Sequence, residues 1–266
     1  MRMILYPLAS GSTGNAVYVS LGGVRILVDA GVSAAKIKKK LSGIGVDAAG
    51  LDAVLITHEH ADHIRGLSVL SRRCGAAIYA NGGTWQGILA KYGDIPEEKR
   101  RVFTTGEDFF IGPVCVRPFA IPHDAADPVG YTFTCGQGRL GVATDLGHIA
   151  DGWLSELSGC QGLVLEANHD VEMVRGGPYP AYLKHRILSR KGHLCNEDCG
   201  RALSHLALTG TQGAYLAHLS QENNLPELAL SAVSRALESA GCIPGEDIWL
   251  GLAGPDGAQE LLAMDV

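Results

Sequence analysis

Short apolar runs recur along the whole chain, and most of them are closed by glycine, aspartate, asparagine or histidine. Runs of this length with such endings are typical of buried strands with tight exits. Apolar residues at helical spacing lie between them, most clearly at 33–45 and 225–241. Strands and helices therefore mix throughout, which predicts an α/β fold. The strand-like runs are MILYPLA, AVYVSL, VRILVDAG, LDAVLITH, AAIYAN, VCVRPFAI, GYTFTC, RLGVATDLG, GLVLEA, GAYLAHLS and DIWLGLA.

The sequence shows no break between domains. Its 266 residues contain no Pro/Gly/Ser-rich linker, internal repeat or low-complexity block, so we expect one layered domain over residues 1–266. A hydrophobic share of 46% excludes disorder, and 35 glycines suit a chain with many tight turns. No apolar run is long enough for a membrane span. Seven scattered cysteines predict reduced thiols and a cytoplasmic protein, and the role of the close pair Cys195 and Cys199 stays open.

Charge limits how this chain meets a polyanion. The formal net charge is -6, so no global positive field attracts nucleic acid or an anionic membrane, and any polyanion must be bound locally. One basic run precedes His193. This run is either a local phosphate-binding patch or a solvated helix face, and it consists of Lys184, His185, Arg186, Arg190 and Lys191.

The strongest chemical signal is a cluster of metal-ligand residues directly after an apolar strand. Histidine and aspartate are ligands for zinc and similar divalent metals, which favours a metal site over a solvated polar loop. The residues are His58, His60, Asp62 and His63. One loop does not supply enough ligands for two metal sites, so we expect partners at other strand exits. These candidates are His123, Asp145 and His218, and Asp29 ends a strand in the same way.

The HxHxDH motif with these downstream residues resembles the metallo-β-lactamase superfamily over nearly the whole chain. The resemblance implies a four-layer αββα sandwich with two divalent ions, zinc or manganese, at one sheet edge. It implies that His58, His60 and His123 hold one ion, that Asp62, His63 and His218 hold the other, and that Asp145 bridges them. Asp29 matches a residue that supports the metal loop without ligating.

Several longer segments resemble the YycJ (WalJ) group within that superfamily. They are SGSTGN (10–15), LVLEANHD (163–170), YPAYLKHRILSRKGHLCN (179–196) and YLAHLSQENNLPELAL (215–230). The group implies a cytoplasmic nuclease related to DNA repair, with 5′→3′ exonuclease action on DNA. Glu166 and His193 are similar to the paired Glu and His of tRNA 3′-processing members, which implies catalytic roles for both together with Asp62.

We predict that Glu166 orients His193 and that His193 donates a proton to the leaving group. The alternative for His193 is a helix-terminal or capping role. Substrate contacts are predicted from residues near these motifs, although Asn168 and His169 also suit a purely structural role in their loop, and Ser12 suits a turn. The predicted substrate contacts are Ser12, Asn168, His169, Arg186 and Lys191.

The leading functional prediction is a dinuclear metal-dependent phosphodiester hydrolase that acts on DNA ends. One alternative uses the same site on a small molecule, as a phosphodiesterase or a thioester or lactone hydrolase. The net charge of -6 and an aromatic share of 6% favour it. The other alternative is a metal-bound but inactive adaptor domain. The native metal and the oligomeric state stay open.

Overall fold

The computed structural model describes residues 1–92 and 95–266, and its first sheet has seven strands. These strands are β1 (Arg2–Ala9), β2 (Ala16–Leu21), β3 (Val24–Val28), β4 (Ala53–Leu55), β5 (Ala77–Asn81), β6 (Arg100–Phe103) and β15 (Leu262–Asp265). Their order in the sheet is β15-β1-β2-β3-β4-β5-β6. The pairs from β3 to β6 are parallel, and the others are antiparallel.

The second sheet has eight strands and packs face to face with the first. They are β7 (Phe109–Ile111), β8 (Val114–Ala120), β9 (Val129–Cys135), β10 (Gly138–Ala143), β11 (Gly162–Glu166), β12 (Gly213–Ala217), β13 (Trp249–Gly254) and β14 (Gly257–Ala258). Their order is β14-β13-β12-β11-β10-β9-β8-β7. The strands from β10 to β13 are parallel to one another.

Helices follow the strands in both halves of the chain. They are α1 (Ala34–Gly43), α2 (Ala61–Ile64), α3 (Leu67–Arg73), α4 (Gly82–Lys91), α5 (Asp151–Leu157), α6 (Val171–Gly176), α7 (Ala181–Ile187), α8 (Asn196–Leu208) and α9 (Pro226–Ser239). Short 3-10 turns cover 48–50 and 97–99. The two helices predicted from periodicity are confirmed as α1 and α9. Ser33 caps α1 by accepting a hydrogen bond from the Lys36 amide, and Pro226 lies in the first turn of α9.

The apolar core has three parts that separate four layers. One part lies between the sheets, a second lies under α1, α3 and α4, and a third lies under α5, α8 and α9. In β3, Ile26 and Val28 face the inter-sheet core while Leu27 faces the helices, because alternate residues of a strand point to opposite faces. Both faces of the sheet are thus covered. The predicted αββα architecture is confirmed.

Every apolar run predicted as a strand contains one. The missed strands are β6, β7, β14 and β15, which have two to four residues each. They lie at or next to the ends of their sheets, and Arg101 and Val102 of β6 are exposed, so the strand lacks a buried alternating pattern. Among the described residues, no helix combines the length and apolar character needed to cross a membrane.

Three loops meet at Gly31, and this junction positions the metal-ligand loop after β4. The Asn15 amide donates to the Asp62 carbonyl over 2.7 Å, the Gly31 amide donates to the Asn15 carbonyl over 2.8 Å, and the Ala30 amide donates to the His63 carbonyl over 2.8 Å. A Cβ atom on Gly31 would overlap the carbonyl oxygen of Asp62. Only glycine therefore allows this backbone approach without displacing Asp62.

We expect Gly31→Ala to lower the free energy of unfolding by about 1–3 kcal/mol, because the added methyl group forces the Asp62 segment to move. Gly43→Ala is the matched control. Position 43 lies in α1, and a Cβ atom there would meet nothing within 4 Å, so alanine should stabilise by up to about 1 kcal/mol. Urea unfolding of the two variants tests this, and a wild-type midpoint for Gly31→Ala would contradict it.

Candidate metal centre

Parallel strands of both sheets deliver polar side chains to one edge of the sandwich. In parallel strands all carboxyl ends lie on the same side, so residues that follow them meet there. The first sheet supplies the ends of β3 and β4, and the second supplies the ends of β10, β11 and β12. The delivered residues are Asp29, Thr57, His58, Asp145, Glu166 and His218.

Three of these residues have a strained backbone. Asp29, Asp145 and His218 have φ values of 63°, 62° and 55°, and they are the non-glycine residues with positive φ in the described part of the chain. The left-handed region costs a non-glycine residue on the order of 1–3 kcal/mol, and such residues concentrate at functional sites. The fold retains this conformation at three strand exits, where it turns Asp145 and His218 toward the centre and Asp29 toward His63.

Among the described residues, the candidate ligands fall into four groups, and two of these are triads that share no residue with each other. His58, His60 and His123 each offer a ligand atom within 4.8 Å of the others, and Asp62, His63 and His218 form a second such group. His60 Nδ1 and His123 Nε2 are 3.3 Å apart. These are the two triads that the sequence motif implies.

Asp145 lies between the two triads. Its Oδ2 atom is 3.3 Å from His63 Nε2, and its Oδ1 atom is 3.7 Å from His123 Nε2. Its side chain is 3% exposed, so both oxygens face the cluster rather than solvent. This is the position that a bridging carboxylate requires.

The residues fit divalent metal ions. His58 Nε2 and His218 Nε2 are buried without a hydrogen-bond partner in the described part of the chain, and such an atom costs about 1–3 kcal/mol unless something binds it. His218 Nε2 is 3.7 Å from Asp62 Oδ2, too far for a hydrogen bond. Imidazole nitrogens and carboxylate oxygens are also the ligands that zinc and manganese accept.

A layer of hydrogen bonds orients the ligands from behind. Asp29 Oδ2 accepts from His63 Nδ1 over 2.7 Å, which leaves Nε2 facing the centre. The Thr57 hydroxyl contacts Asp29 Oδ2 at 2.9 Å and His58 Nδ1 at 3.0 Å. His123 Nδ1 donates to the Gly192 carbonyl over 3.2 Å. Such partners fix the ring orientation of metal-ligating histidines. Asp29 contacts His63 and Thr57 and is not among the candidate ligands of the described residues. The sequence analysis missed Thr57, although it directly precedes His58.

The carboxyl groups of the cluster are ionised. Burial alone would raise the pKa of Asp62 and Glu166, but the neighbouring histidines outweigh it and lower both pKa values to about 2. Burial likewise opposes ionisation of Asp145, yet His218 and His63 hold its pKa well below the usual range. Burial disfavours a charged His63, but Asp29, Asp145 and Asp62 together hold its pKa well above normal. The carboxylates therefore favour positive charge among them, which protonated histidines or a bound cation would supply.

Glu166 connects the metal-ligand cluster to His193. The Oε1 atom of Glu166 accepts hydrogen bonds from His193 Nδ1 over 2.9 Å and from His218 Nδ1 over 2.8 Å. Its Oε2 atom accepts from the amides of Leu146 (2.6 Å) and Leu194 (3.0 Å). A fully buried carboxylate with four donors is held rigidly. The predicted pairing of Glu166 with His193 agrees with this geometry.

A cavity of about 260 Å³ opens beside the cluster. Of the predicted substrate contacts, Ser12, Asn168 and Arg186 line it, together with His193. His169 and Lys191 are outside the set of described residues that line it. His169 is 1% exposed, and burial lowers its pKa to about 4, whereas Lys191 is exposed. The sequence analysis missed the lining residues Tyr179, Leu183, Ile187 and Ser220.

Much of the basic run before His193 contacts the protein itself. Arg186 forms a two-pronged ion pair with Asp124, with Nε–Oδ2 at 2.7 Å and Nη2–Oδ1 at 3.1 Å. Lys184 Nζ donates to the Arg175 carbonyl over 2.7 Å, and Arg190 Nη2 donates to His148 Nε2 over 2.8 Å. Arg186 is the member of the run that lines the cavity. Asp124 was missed, although it directly follows His123.

Known proteins resemble this chain in sequence and in fold. It is 41% identical over 239 residues to exodeoxyribonuclease YycJ of Bacillus anthracis, covering 90% of both chains. It is 40% identical over 256 residues to exodeoxyribonuclease WalJ of Streptococcus pneumoniae, covering 96% of this chain and 95% of that one. The fold is similar to the metallo-β-lactamase fold protein YhfI of Bacillus subtilis, with a TM-score of 0.73, 17% identity and 99% coverage of both chains. It is also similar to Zn²⁺-bound PqqB of Methylobacterium extorquens, with a TM-score of 0.70, 19% identity and full coverage of both chains.

The family model of the β-lactamase superfamily domain matches residues 24–219, a span that contains every candidate metal ligand. Together with two relatives at about 40% identity over nearly the full length, this match establishes that the chain belongs to the β-lactamase superfamily.

Proposed function

We propose that this chain is a metal-dependent nuclease that removes nucleotides from DNA ends in the 5′→3′ direction, and that it serves DNA repair in the cytoplasm. One observation supports this proposal most directly. Two candidate ligand triads, the Asp145 carboxylate between them and the hydrogen-bonded Glu166–His193 pair lie together beside one cavity. The names of the two relatives, both exodeoxyribonucleases, support DNA as the substrate. The direction of digestion and the repair role follow the resemblance of the longer sequence segments.

The proposed cofactor is a pair of divalent ions, zinc or manganese. His58, His60 and His123 would hold one ion, Asp62, His63 and His218 would hold the other, and Asp145 would contact both. Bound ions of this kind lower the pKa of water toward neutrality and neutralise charge that develops on phosphate oxygens.

His193 is the proposed proton donor. Its Nδ1 atom bonds to Glu166, so its Nε2 atom is the nitrogen left for the cavity, and 18% of the side chain is exposed there. Cleavage of a phosphodiester leaves an oxygen that must gain a proton, and a positioned imidazole supplies one. Glu166 is ionised and accepts the hydrogen bond from Nδ1. In the imidazolium form both ring nitrogens carry a proton, so Nε2 gives its proton to the leaving oxygen while Nδ1 keeps its bond to Glu166.

Arg186 is the proposed contact to the DNA backbone. Its guanidinium lines the cavity and is half exposed, and its present partner Asp124 presents two oxygens in the geometry that a phosphate also offers. A phosphate that enters the cavity would compete with Asp124 for this side chain. Ser12 lies on a loop held by the Arg65 guanidinium, which donates to the Thr13 carbonyl over 2.9 Å.

A small phosphodiester is the second candidate substrate. The cavity of about 260 Å³ is slightly smaller than ordinary small-ligand pockets, and the net charge of -6 does not favour a long polyanion. The same ligands and the same proton donor would act on it.

We expect protein loaded with manganese or zinc to release mononucleotides from one end of labelled single- or double-stranded DNA. Asp62→Asn and His63→Ala should abolish this release, because each removes a candidate metal ligand. Parallel assays with 5′ and 3′ labels fix the direction, and release from the 3′ end would contradict the proposed 5′→3′ action. Hydrolysis of a simple phosphodiester without any DNA cleavage would favour the second candidate. Full metal content with no hydrolysis of either would indicate an adaptor.

Two substitutions separate proton donation from metal support. His193→Ala should lower kcat about 10²–10⁴-fold with unchanged metal content, because it removes only the proton donor. Glu166→Gln should also weaken metal binding about 10–100-fold, because Glu166 orients the ligand His218 as well. Metal content after dialysis against a chelator, measured beside single-turnover rates, tests both expectations. Loss of metal in His193→Ala would overturn the assigned role.

Arg186→Ala should reduce the slope of log binding constant against log salt concentration by about 0.7–0.9, which corresponds to one lost phosphate contact. Arg235→Ala on α9 is the matched control, since it removes an exposed arginine that is not among the residues lining the cavity. DNA binding by the non-cleaving Asp62→Asn protein, titrated at several salt concentrations, gives the slopes. Equal slopes for the proteins with arginine and with alanine at position 186 would exclude a phosphate contact by Arg186.

A further inference from the structure

The cavity has one wall that phosphodiester cleavage does not explain. Besides the histidines and aspartates, Tyr179, Leu183 and Ile187 line it, and we call these three residues the wall. Phosphate oxygens bind to cations and hydrogen-bond donors, and an aromatic and aliphatic surface offers little to them. The occupant of this cavity therefore carries an apolar or flat group next to its phosphodiester.

The backbone that carries Tyr179 is restricted. Pro178 and Pro180 flank this residue and limit the backbone angles around it, and Pro180 is the N-cap residue of α7. A Cβ atom on Gly177 would lie 2.6 Å from the Met173 carbonyl oxygen, so the chain leaves α6 by a turn that favours glycine. A restricted backbone reduces the conformational entropy that is lost when a ligand stacks on the ring.

The segment that forms the wall is also hydrogen-bonded to the proposed proton donor, His193. The His193 amide donates to the Ile187 carbonyl over 3.1 Å, and Ile187 is only 9% exposed. A Cβ atom on Gly192 would overlap that carbonyl oxygen, so α7 and the segment that carries His193 are in close backbone contact. A group seated on the wall would thus hold its attached phosphate at a fixed position relative to His193.

The size of the cavity restricts what is seated there. About 260 Å³ leaves room for a group on the scale of one nucleotide, whereas the stacked base pairs of a double helix need more space. A base exposes its flat face to a side chain only when it has left the stack of its neighbours. Tyrosine is one of the side chains on which unstacked bases pack.

We propose that Tyr179, with Leu183 and Ile187, forms a nucleobase subsite that takes one unpaired terminal nucleotide of the DNA strand. The subsite rests on the proposed nuclease function and extends it. In this proposal the enzyme separates the terminal base from its stacked neighbour before the phosphodiester is cleaved. It is tolerant of base identity, because every base has a flat face and the three side chains contribute apolar surface.

The first test uses two labelled DNA strands that differ only at the terminal nucleotide attacked by the wild type, which is normal in one and abasic in the other. On the normal strand, Tyr179→Ala should lower kcat/KM about 10- to 100-fold, the loss expected for one base stacked on an aromatic ring. Tyr179→Phe should keep the wild-type value within about twofold, because the ring remains. On the abasic strand, Tyr179→Ala and the wild type should be equal.

Tyr182→Ala is the matched control. Tyr182 lies three residues away on α7, is 76% exposed and is not among the described residues that line the cavity. Its replacement should leave kcat/KM unchanged on both strands. If Tyr179→Ala lowers kcat/KM equally on the normal and abasic strands, the role of Tyr179 is structural and the subsite is overturned. If Tyr179→Ala lowers kcat/KM on neither strand, the subsite is also overturned.

A second measurement detects stacking without cleavage. DNA with 2-aminopurine at the terminal position is bound to Asp62→Asn protein, and the fluorescence of this base should fall when it stacks on the tyrosine ring. The fall should be absent in Asp62→Asn/Tyr179→Ala. Unchanged fluorescence in Asp62→Asn at saturating protein would overturn the subsite. If the wild type digests neither strand, the nuclease proposal fails, and the fluorescence experiment still decides whether the wall binds a base.

Discussion

Ionised carboxylates buried among imidazoles are the constraint on which the rest of this structure depends. Asp145 and Glu166 in the interior, and the half-buried Asp62 beside them, remain charged because histidines and hydrogen-bond donors surround them. Burying a charge without such partners is among the most expensive changes in a protein. The partners of Asp145 come from both sheets, because His63 follows β4 and His218 follows β12, so the two sheets must be aligned for the partners to meet.

The two sheets supply the candidate ligands in different ways. The first sheet supplies His58, His60, Asp62 and His63 from one loop, with Asp29 and Thr57 as supports. The second sheet supplies single residues from separate strand exits. The first group is local in sequence and the second is assembled only by folding. Three strand-exit residues also adopt the left-handed backbone conformation. The fold therefore tolerates backbone strain where it orients two candidate ligands, Asp145 and His218, and their neighbour Asp29.

This difference explains what the sequence could predict. The HxHxDH motif and the strand exits were enough to select the candidate ligands, because ligand chemistry and strand endings are both local features. The layers followed from apolar runs, and only short edge strands such as β6 were missed. Thr57 and Asp124 escaped notice because their importance lies in contacts made across the fold. Tyr179 and Leu183 were missed because the sequence does not show whether an apolar residue in a loop or a short helix faces a cavity.

One oxygen of Glu166 accepts hydrogen bonds from both His193 and His218, which limits how the residues of this site can change during evolution. A descendant chain that needs a different proton donor, or none, can change His193 and keep the metal side intact. The same chain is not free to change Glu166, because the orientation of His218 would be lost together with the donor. Positions 166 and 218 should therefore vary together among related enzymes, while position 193 follows the chemistry of the leaving group.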